Sequence, residues 1–529
     1  MSTPSGTMAV SAGPDPGRPP AAERRVVSPR ELPEQAAQLL SAGFRVALAA
    51  GHEDSEASGG SRLRAVYLFT AASPDRRVEL HVPLDRERPA VPSLAALSFP
   101  AGRFEREMHD LYGIVPEDHP LPARLVRHFH WPKGWHPMLS DAGEPPSFGE
   151  VDGPYPFRTV EGPGVYEIPV GPVHAGMIGP GHFRFSVVGE TILNLKARLW
   201  FTHRGIEKLF AGRAPAAGVE LTERVSGDTA VGHAVAFCLA VEDALGLTVP
   251  ADAYVIRTLL LELERLYNHA ADIGMLCNDV GHSILNIHAG RIRERLLRVN
   301  DAVTGHRLLR GAVFPGGAAV QALPDLAELA AVGADIAEVA ALALGHSVVR
   351  DRFTGTAVLS AEQAAGLGTL GYVARASGLR ADARHDHPLP GVSLTRTAHS
   401  HTEGDVLARF MVRVEEAATT AADIARLVTR LNGRLSTTSA PDPHAPGIAP
   451  SSVARSDSAR SGVGLVEGWR GTIAHRVEVD GAGRLSRVKI ADPSFFNWPA
   501  LPVALAATIV PDFPLVNKSF NLSYAGNDL

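Results

Sequence analysis

The alternation of apolar and polar positions divides the chain into a strand-rich beginning and a helix-rich remainder. Apolar residues at helical spacing predict a helix over 29–42, and period-two segments around 44–48, 63–70 and 77–82 predict strands after it. The charged run 104–112, stopped by Gly113, predicts an amphipathic helix. Downstream, 166–170, 182–188 and 191–195 read as hairpin strands, after which helical periodicity dominates over 201–210, 229–245, 251–279, 282–309, 326–344 and 405–431. Within 251–279, Ile256, Leu259, Leu260, Leu263 and Leu266 form one stripe, the pattern of bundle core. Near the end, Asp480-Gly481 is a turn signal between segments carrying Ile473, Val477, Val479 and Leu485, Val488, Ile490. These elements predict an α+β protein: a small N-terminal α+β domain, then a mainly helical domain with peripheral hairpins.

Composition places the boundaries. At 529 residues the chain exceeds the single-core limit of roughly 250–300 residues, so two domains are expected. Residues 1–25, rich in Pro, Gly, Ser and Ala, read as a disordered tail without the apolar core of a secretory signal. The small domain then spans 26–138, a Pro- and Gly-rich linker 139–164, and the second domain 165–529, with 436–462 as a mobile surface loop. The longest apolar stretches, 330–345 and 501–510, are too short or are interrupted by Asp335, Glu338 and Pro511. No direct membrane span is expected, and any membrane association has to come through partner proteins.

A formal net charge of −6 gives no general electrostatic footprint for nucleic acid. The two cysteines, Cys238 and Cys277, lie far apart with no C-x-x-C, which excludes a four-cysteine iron–sulfur cluster, a zinc ribbon and a disulfide framework. They read as small buried hydrophobes. No glycine-rich phosphate loop follows a strand, so no NADH site is expected. The clusters His385-Asp386-His387 and His399-Ser400-His401-Thr402-Glu403 hold zinc-capable groups, but loop solvation and a capping box from Thr402 to Asp405 account for them.

Several strings carry a resemblance. Glu105-Arg106-Glu107 with Asp110-Leu111-Tyr112-Gly113-Ile114, His119-Pro120, Trp131 and Trp135 resemble the C subunit of NADH-quinone oxidoreductase. Gly171-Pro172-Val173-His174, Pro180-Gly181-His182-Phe183-Arg184 and His203-Arg204-Gly205-Ile206-Glu207-Lys208-Leu209 resemble the opening of its D subunit and of group 4 membrane-bound nickel-iron hydrogenase large subunits. Glu264-Arg265 with His269, Arg375-Ala376-Ser377-Gly378, Asp382, Arg384, Arg470-Gly471 and the run 492–501 keep the same order. The chain is thus similar to the fused C/D subunit of complex I and to hydrogenase-4 type components. The resemblance implies a peripheral subunit on the cytoplasmic face of the membrane. Its implied partners are a B-type iron–sulfur subunit that carries the clusters, other peripheral-arm subunits and antiporter-like membrane subunits.

The resemblance also points to a site. The hydrogenases bind nickel and iron through two C-x-x-C motifs; here Ser226 and Thr229 match the first pair and Ser523 and Gly526 the second. A hydroxyl that stays protonated near pH 7 is a poor substitute for thiolate on nickel, so no metal is expected. In complex I the corresponding cavity takes a quinone headgroup between a histidine, matched by His174, and a tyrosine, whose position is Gly227. His174 and Asp228 are therefore the candidate catalytic groups, with Tyr524 beside them and quinone the one cofactor to consider. The alternatives are a loop histidine satisfied by carbonyls for His174 and a helix N-terminal charge for Asp228. Glu207, Glu264, Arg265, Arg375 and Arg384 are expected either to form buried or interfacial pairs around the cavity or to relay protons toward a membrane arm. The rival functions are a quinone-reducing subunit proper and a redox-inactive structural coupler.

Overall fold

The computed structural model describes residues 17–55, 61–149, 151–176, 178–397, 401–437 and 460–529. The first domain is a four-stranded sheet of Glu23–Val26, Arg45–Ser55, Ser61–Ala71 and Arg76–Leu84. The first strand pairs in parallel with the last, and the other two pairings are antiparallel. Helix Leu32–Ser41 buries Leu32, Ala36 and Leu39. Helix Phe99–Tyr112 ends on Gly113, whose φ of 74° is the left-handed conformation glycine adopts at low cost.

That second helix departs from its pattern, because its charged residues Arg103, Glu105, Arg106, Glu107 and Asp110 are buried. Each finds a partner, which is the condition for burying charge. Asp110 accepts from the amides of Leu125, Val126 and Arg127, Glu105 from Leu94 N, and Arg106 donates to Ala123 O. Glu107 takes Lys489 of the second domain, 2.7 Å away.

In the second domain the hairpin strands Val165–Val170, His182–Val188 and Thr191–Arg198 form one antiparallel sheet. Helix Ala251–Asp279 is buried on most of its faces rather than along one stripe, because helices Ser283–Thr304 and Val406–Leu431 pack on either side of it. A second sheet, Arg460–Gly468, Gly471–Val479 and Leu485–Ala491, lies against helix Ala230–Leu245. The approach is so close that a Cβ on Gly464 would stand 1.9 Å from Ala236 O. The same sheet meets the first domain through Arg476 with Glu79 at 2.7 Å and Arg64 with Glu478 at 2.6 Å. Phe104 stacks on Phe495 with ring centroids 4.3 Å apart. Among the described residues no helix is long and apolar enough to cross a membrane.

Some expectations need correction. The helix expected over 201–210 is only Ile206–Leu209, because Thr202 and His203 turn instead to bond Asp528. Of the expected tail, residues 1–16 lie outside the described residues, and 23–25 enter the first strand. Of the expected loop 436–462, residues 438–459 lie outside the described residues and 460–462 begin a strand. Helix Val406–Leu431 is capped by Asp405, whose side chain accepts from Ala408 N, not by a box from Thr402. His387 is buried and bonds Asp75 of the first domain at 2.7 Å, so solvation does not describe it; His399 and Ser400 lie outside the described residues.

Candidate functional site

The segment after Arg224-Val225 turns sharply before the helix at Ala230, and its Asp228 is held from several sides. Arg470 donates from Nη1 to Oδ1 and from Nη2 to Oδ2, both at 2.7 Å. Ser226 Oγ and Thr229 Oγ1 donate to Oδ1 at 2.9 and 3.1 Å. Its carbonyl accepts from Trp469 Nε1, Asn268 Nδ2 and Tyr267 OH. Burial by itself lifts a carboxyl pKa, but the Arg470 charge and these hydrogen bonds hold Asp228 down at about 2. The side chain itself stays 36% accessible. Asp228 is thus an ionised, partly accessible carboxylate, and it stands one residue before Thr229, the N-cap of helix Ala230–Leu245, so it is also a charge at that helix N-terminus.

The C-terminal segment meets this turn. Ser226 Oγ and Ser523 Oγ are 2.8 Å apart, and Ser523 Oγ also accepts from Gly526 N at 2.9 Å. Gly526 faces Asp492 so closely that a Cβ there would stand 2.6 Å from its carboxyl. The Tyr524 ring packs on Gly179 and Gly181, where an added Cβ would lie 2.7 and 2.8 Å from it, and lies edge-on to Trp498 at 4.8 Å. His174 Nε2 donates to Gly181 O at 2.8 Å, so the carbonyl-satisfied reading holds for that nitrogen and leaves Nδ1 toward other partners. The fold therefore gathers His174, Tyr524, Ser523, Gly526, Ser226, Asp228 and Thr229 into one neighbourhood. Gly227 is exposed, with nothing within 4 Å of where its Cβ would be.

The charged support sits in two places. Arg265 donates to Glu467 O at 2.9 Å and reaches Glu262 and Glu416, while Arg375 pairs with Glu416 at 2.7 Å and Glu467 at 2.9 Å. Both brace the turn that presents Trp469 and Arg470. That turn also packs on Gly371, which has φ of 65° and whose Cβ would stand 1.9 Å from Arg470 O. Arg384 pairs with Asp382 at 2.7 Å in the same cluster. Glu207 lies elsewhere, between the domains, with Arg487 at 2.8 Å and Lys489 at 3.1 Å. Glu264 departs from the expected pairing: its oxygens accept from the amides of Val231 and Gly232, and burial lifts its pKa to about 8.

Arg470, Trp469, Asn268, Tyr267 and Asp492 were missed as site residues. Arg470-Gly471 stood in the matched strings, but a pairing across 242 residues leaves no local trace. At the four matched ligand positions stand three hydroxyl side chains and a glycine, without a thiolate. Among the described residues no group of three or more His, Cys, Asp or Glu side chains is placed to hold a metal ion. Beside these positions the buried Phe183, Trp498 and Tyr524 rings pack against one another, with the His174 imidazole next to Phe183.

Comparison with known proteins identifies the family. Residues 26–145 match the family model for the respiratory-chain NADH dehydrogenase 30 kDa subunit, 279–528 that for the 49 kDa subunit, and 204–273 that for the nickel-dependent hydrogenases. Hydrogenase-4 component G of Escherichia coli (strain K12) is 32% identical over 80% of this chain and 73% of its own length. The C/D subunit of NADH-quinone oxidoreductase from Phocaeicola vulgatus is 31% identical over 63% of this chain and 68% of its own. A chain of the archaeal membrane-bound sulfane sulfur reductase, a respiratory membrane complex, shares the fold with a TM-score of 0.61 at 23% identity, over 69% of this chain and 98% of that one. The chain belongs to the family that joins the fused 30 kDa and 49 kDa subunits of respiratory-chain NADH dehydrogenase to the hydrogenase-4 type components.

Proposed function

We propose that this chain is the peripheral core subunit of a membrane-bound, complex I-like oxidoreductase that has no nickel-iron centre of its own. In this reading it receives electrons from an iron–sulfur partner, passes them to a small acceptor of the quinone class, and couples that transfer to ion translocation by antiporter-like membrane subunits. It sits on the cytoplasmic face and meets the membrane through those partners.

The observation that carries the reading is the Ser226–Ser523 hydroxyl pair at 2.8 Å, standing where the resembling hydrogenases need thiolates and directly beside the ionised Asp228. Neutral hydroxyls bonded to one another and to a carboxylate offer nickel no anionic sulfur. A bound quinone would supply the two-electron, two-proton acceptor. Around it, Asp228 at about 2 holds no proton near neutrality, and burial keeps the Tyr524 phenol protonated up to about 12. Arg470 offsets the Asp228 charge, so the site is close to neutral before any electron arrives. In this reading His174 meets a carbonyl oxygen as imidazolium, donating from Nδ1 while Nε2 stays on Gly181 O.

A second reading, a redox-inactive structural coupler, draws on the same hydroxyl network, which satisfies itself without a ligand. The two separate in the assembled, purified complex. The acceptor reading expects quinone reduction that falls at least tenfold in His174→Ala with the complex intact; unchanged rates in that variant, or none in the wild type, favour the coupler. One nickel per chain by metal analysis would overturn both.

A further inference from the structure

Asp492, His233 and His475 form a hydrogen-bonded line that the proposed acceptor chemistry does not use. Asp492 Oδ2 lies 3.0 Å from His233 Nε2, and His233 Nδ1 lies 3.0 Å from His475 Nε2. None of the three side chains is more than 1% exposed. One end touches the candidate site: the Asp492 carboxyl stands against Gly526, and its Oδ1 accepts from Ser494 N at 2.7 Å, while Ser494 Oγ accepts from Ser523 N at 3.0 Å. At the other end, His475 Nδ1 is buried and has no hydrogen-bond partner.

With Asp492 a carboxylate and both rings neutral, both bonds can be made in one way only. His233 donates from Nε2 to Asp492, and His475 donates from Nε2 to His233 Nδ1. His475 Nδ1 is then a bare lone pair, which accounts for its lack of a partner. A proton added there moves the line to its other setting: His475 gains Nδ1–H and releases its Nε2 proton to His233 Nδ1, and His233 releases its Nε2 proton to Asp492. One proton enters, one appears on the Asp492 carboxyl, and both rings end neutral. We propose that Asp492, His233 and His475 form a proton wire that takes up a proton at His475 Nδ1 and presents it on Asp492 at the candidate site.

The surroundings favour one setting at rest. His475 sits in the middle strand between Gly464 and Ile490, with the Phe237 ring edge-on at 6.3 Å, and burial keeps the imidazole well below its usual range. Asp492 faces His233, Ser494 N and the Arg470 charge, all of which favour its carboxylate and oppose the effect of burial. The resting setting is therefore the carboxylate one.

Delivery of that proton to an acceptor rests on the function proposed above, but the wire itself is measurable in the isolated chain. After a downward pH jump, infrared spectroscopy is expected to show a carboxylic-acid C=O band that is missing from Asp492→Asn. Nitrogen NMR of 15N-histidine protein is expected to show His233 and His475 passing together from Nε2–H to Nδ1–H. His475→Gln keeps a donor for His233 but has no second ring nitrogen, so the band should rise at least ten times more slowly. A band rising at the wild-type rate in His475→Gln, or Asp492 protonating while both rings keep Nε2–H, would overturn the wire. Failure of the acceptor reading shows separately, in the quinone assay of the complex.

Discussion

Arg470 and Asp228 meet edge to edge, guanidinium against carboxylate, through two bonds of 2.7 Å each. The geometry fixes more than a charge pair. Arg470 Nε is also spent, on Asn521 O at 2.6 Å, so one planar group ties the 226–229 turn to the C-terminal segment that carries Ser523 and Tyr524.

Arg470→Lys keeps the charge and loses the fork, since an ammonium cannot make two parallel bonds and hold Asn521 as well. The expected result is an intact fold with acceptor reduction reduced at least tenfold, because the Ser523 side of the site is no longer fixed. The Asp228 carboxyl should titrate higher than in the wild type. Turnover of the assembled complex and the pH dependence of that turnover check this; wild-type turnover would show that the pair is not used.

Glu264 predicts a pH dependence of stability. Burial lifts its pKa to about 8 from the ordinary 4.5, so the folded state holds a proton that the unfolded state releases. Its stabilising contribution is full below the unfolded value and is lost as pH rises from there through about 8, with a total of up to about 5 kcal/mol. Glu264→Gln carries no ionisable group, so its denaturant midpoint should change less between pH 5 and pH 8 than that of the wild type, leaving the variant relatively more stable at alkaline pH. Parallel profiles for the two proteins would refute the assignment.

Much of the architecture was legible because it is local. Helix Ala251–Asp279 and the hairpin around Asp480 declare themselves through periodicity and turn chemistry, which need no distant partner. The candidate site was legible only as a set of positions. Ser226, Asp228, Ser523 and Tyr524 followed from the resemblance, but their joining through Arg470, and the pressing of Asp492 on Gly526, depend on contacts between segments far apart in the chain. Where the reading failed, tertiary partners had overridden local pattern. Helix Phe99–Tyr112 looks solvent-facing until Lys489 and the 123–127 loop are placed on its charges, and Glu264 looks like an arginine's partner until helix Ala230–Leu245 offers it two amides.

Lys489 lies between Glu107 of the first domain and Glu207 of the second, at 2.7 and 3.1 Å. Only 2% of its side chain is exposed. Lys489→Met removes the cation and leaves Glu107 a buried carboxyl without its ion-pair partner, a loss on the order of 3–5 kcal/mol for a broken buried pair. Glu207 retains Arg487, so the cost falls on Glu107. Adding Glu107→Gln should recover part of it, which makes the double mutant distinctly more stable than the sum of the two single changes. Strict additivity in chemical denaturation would mean that the pair does not hold the domains together.

Gly227 offers a way to add the missing donor. In the resembling quinone reductases a tyrosine stands at this position, and here the site is exposed with no atom within 4 Å of the place a Cβ would take. No left-handed backbone holds the position to glycine, since Gly227 is not among the glycines with positive φ. Gly227→Tyr should therefore fold with a stability change within about 0.5 kcal/mol, typical of surface substitutions. It sets a phenol beside Asp228, whose charge disfavours phenolate and so keeps the hydroxyl a donor. Quinone reduction by the assembled complex should rise in Gly227→Tyr but not in Gly227→Phe, which fills the same space without the hydroxyl. Equal rates in the two variants would mean that ring bulk alone acts there, and that the acceptor does not draw a hydrogen bond from this side of the site.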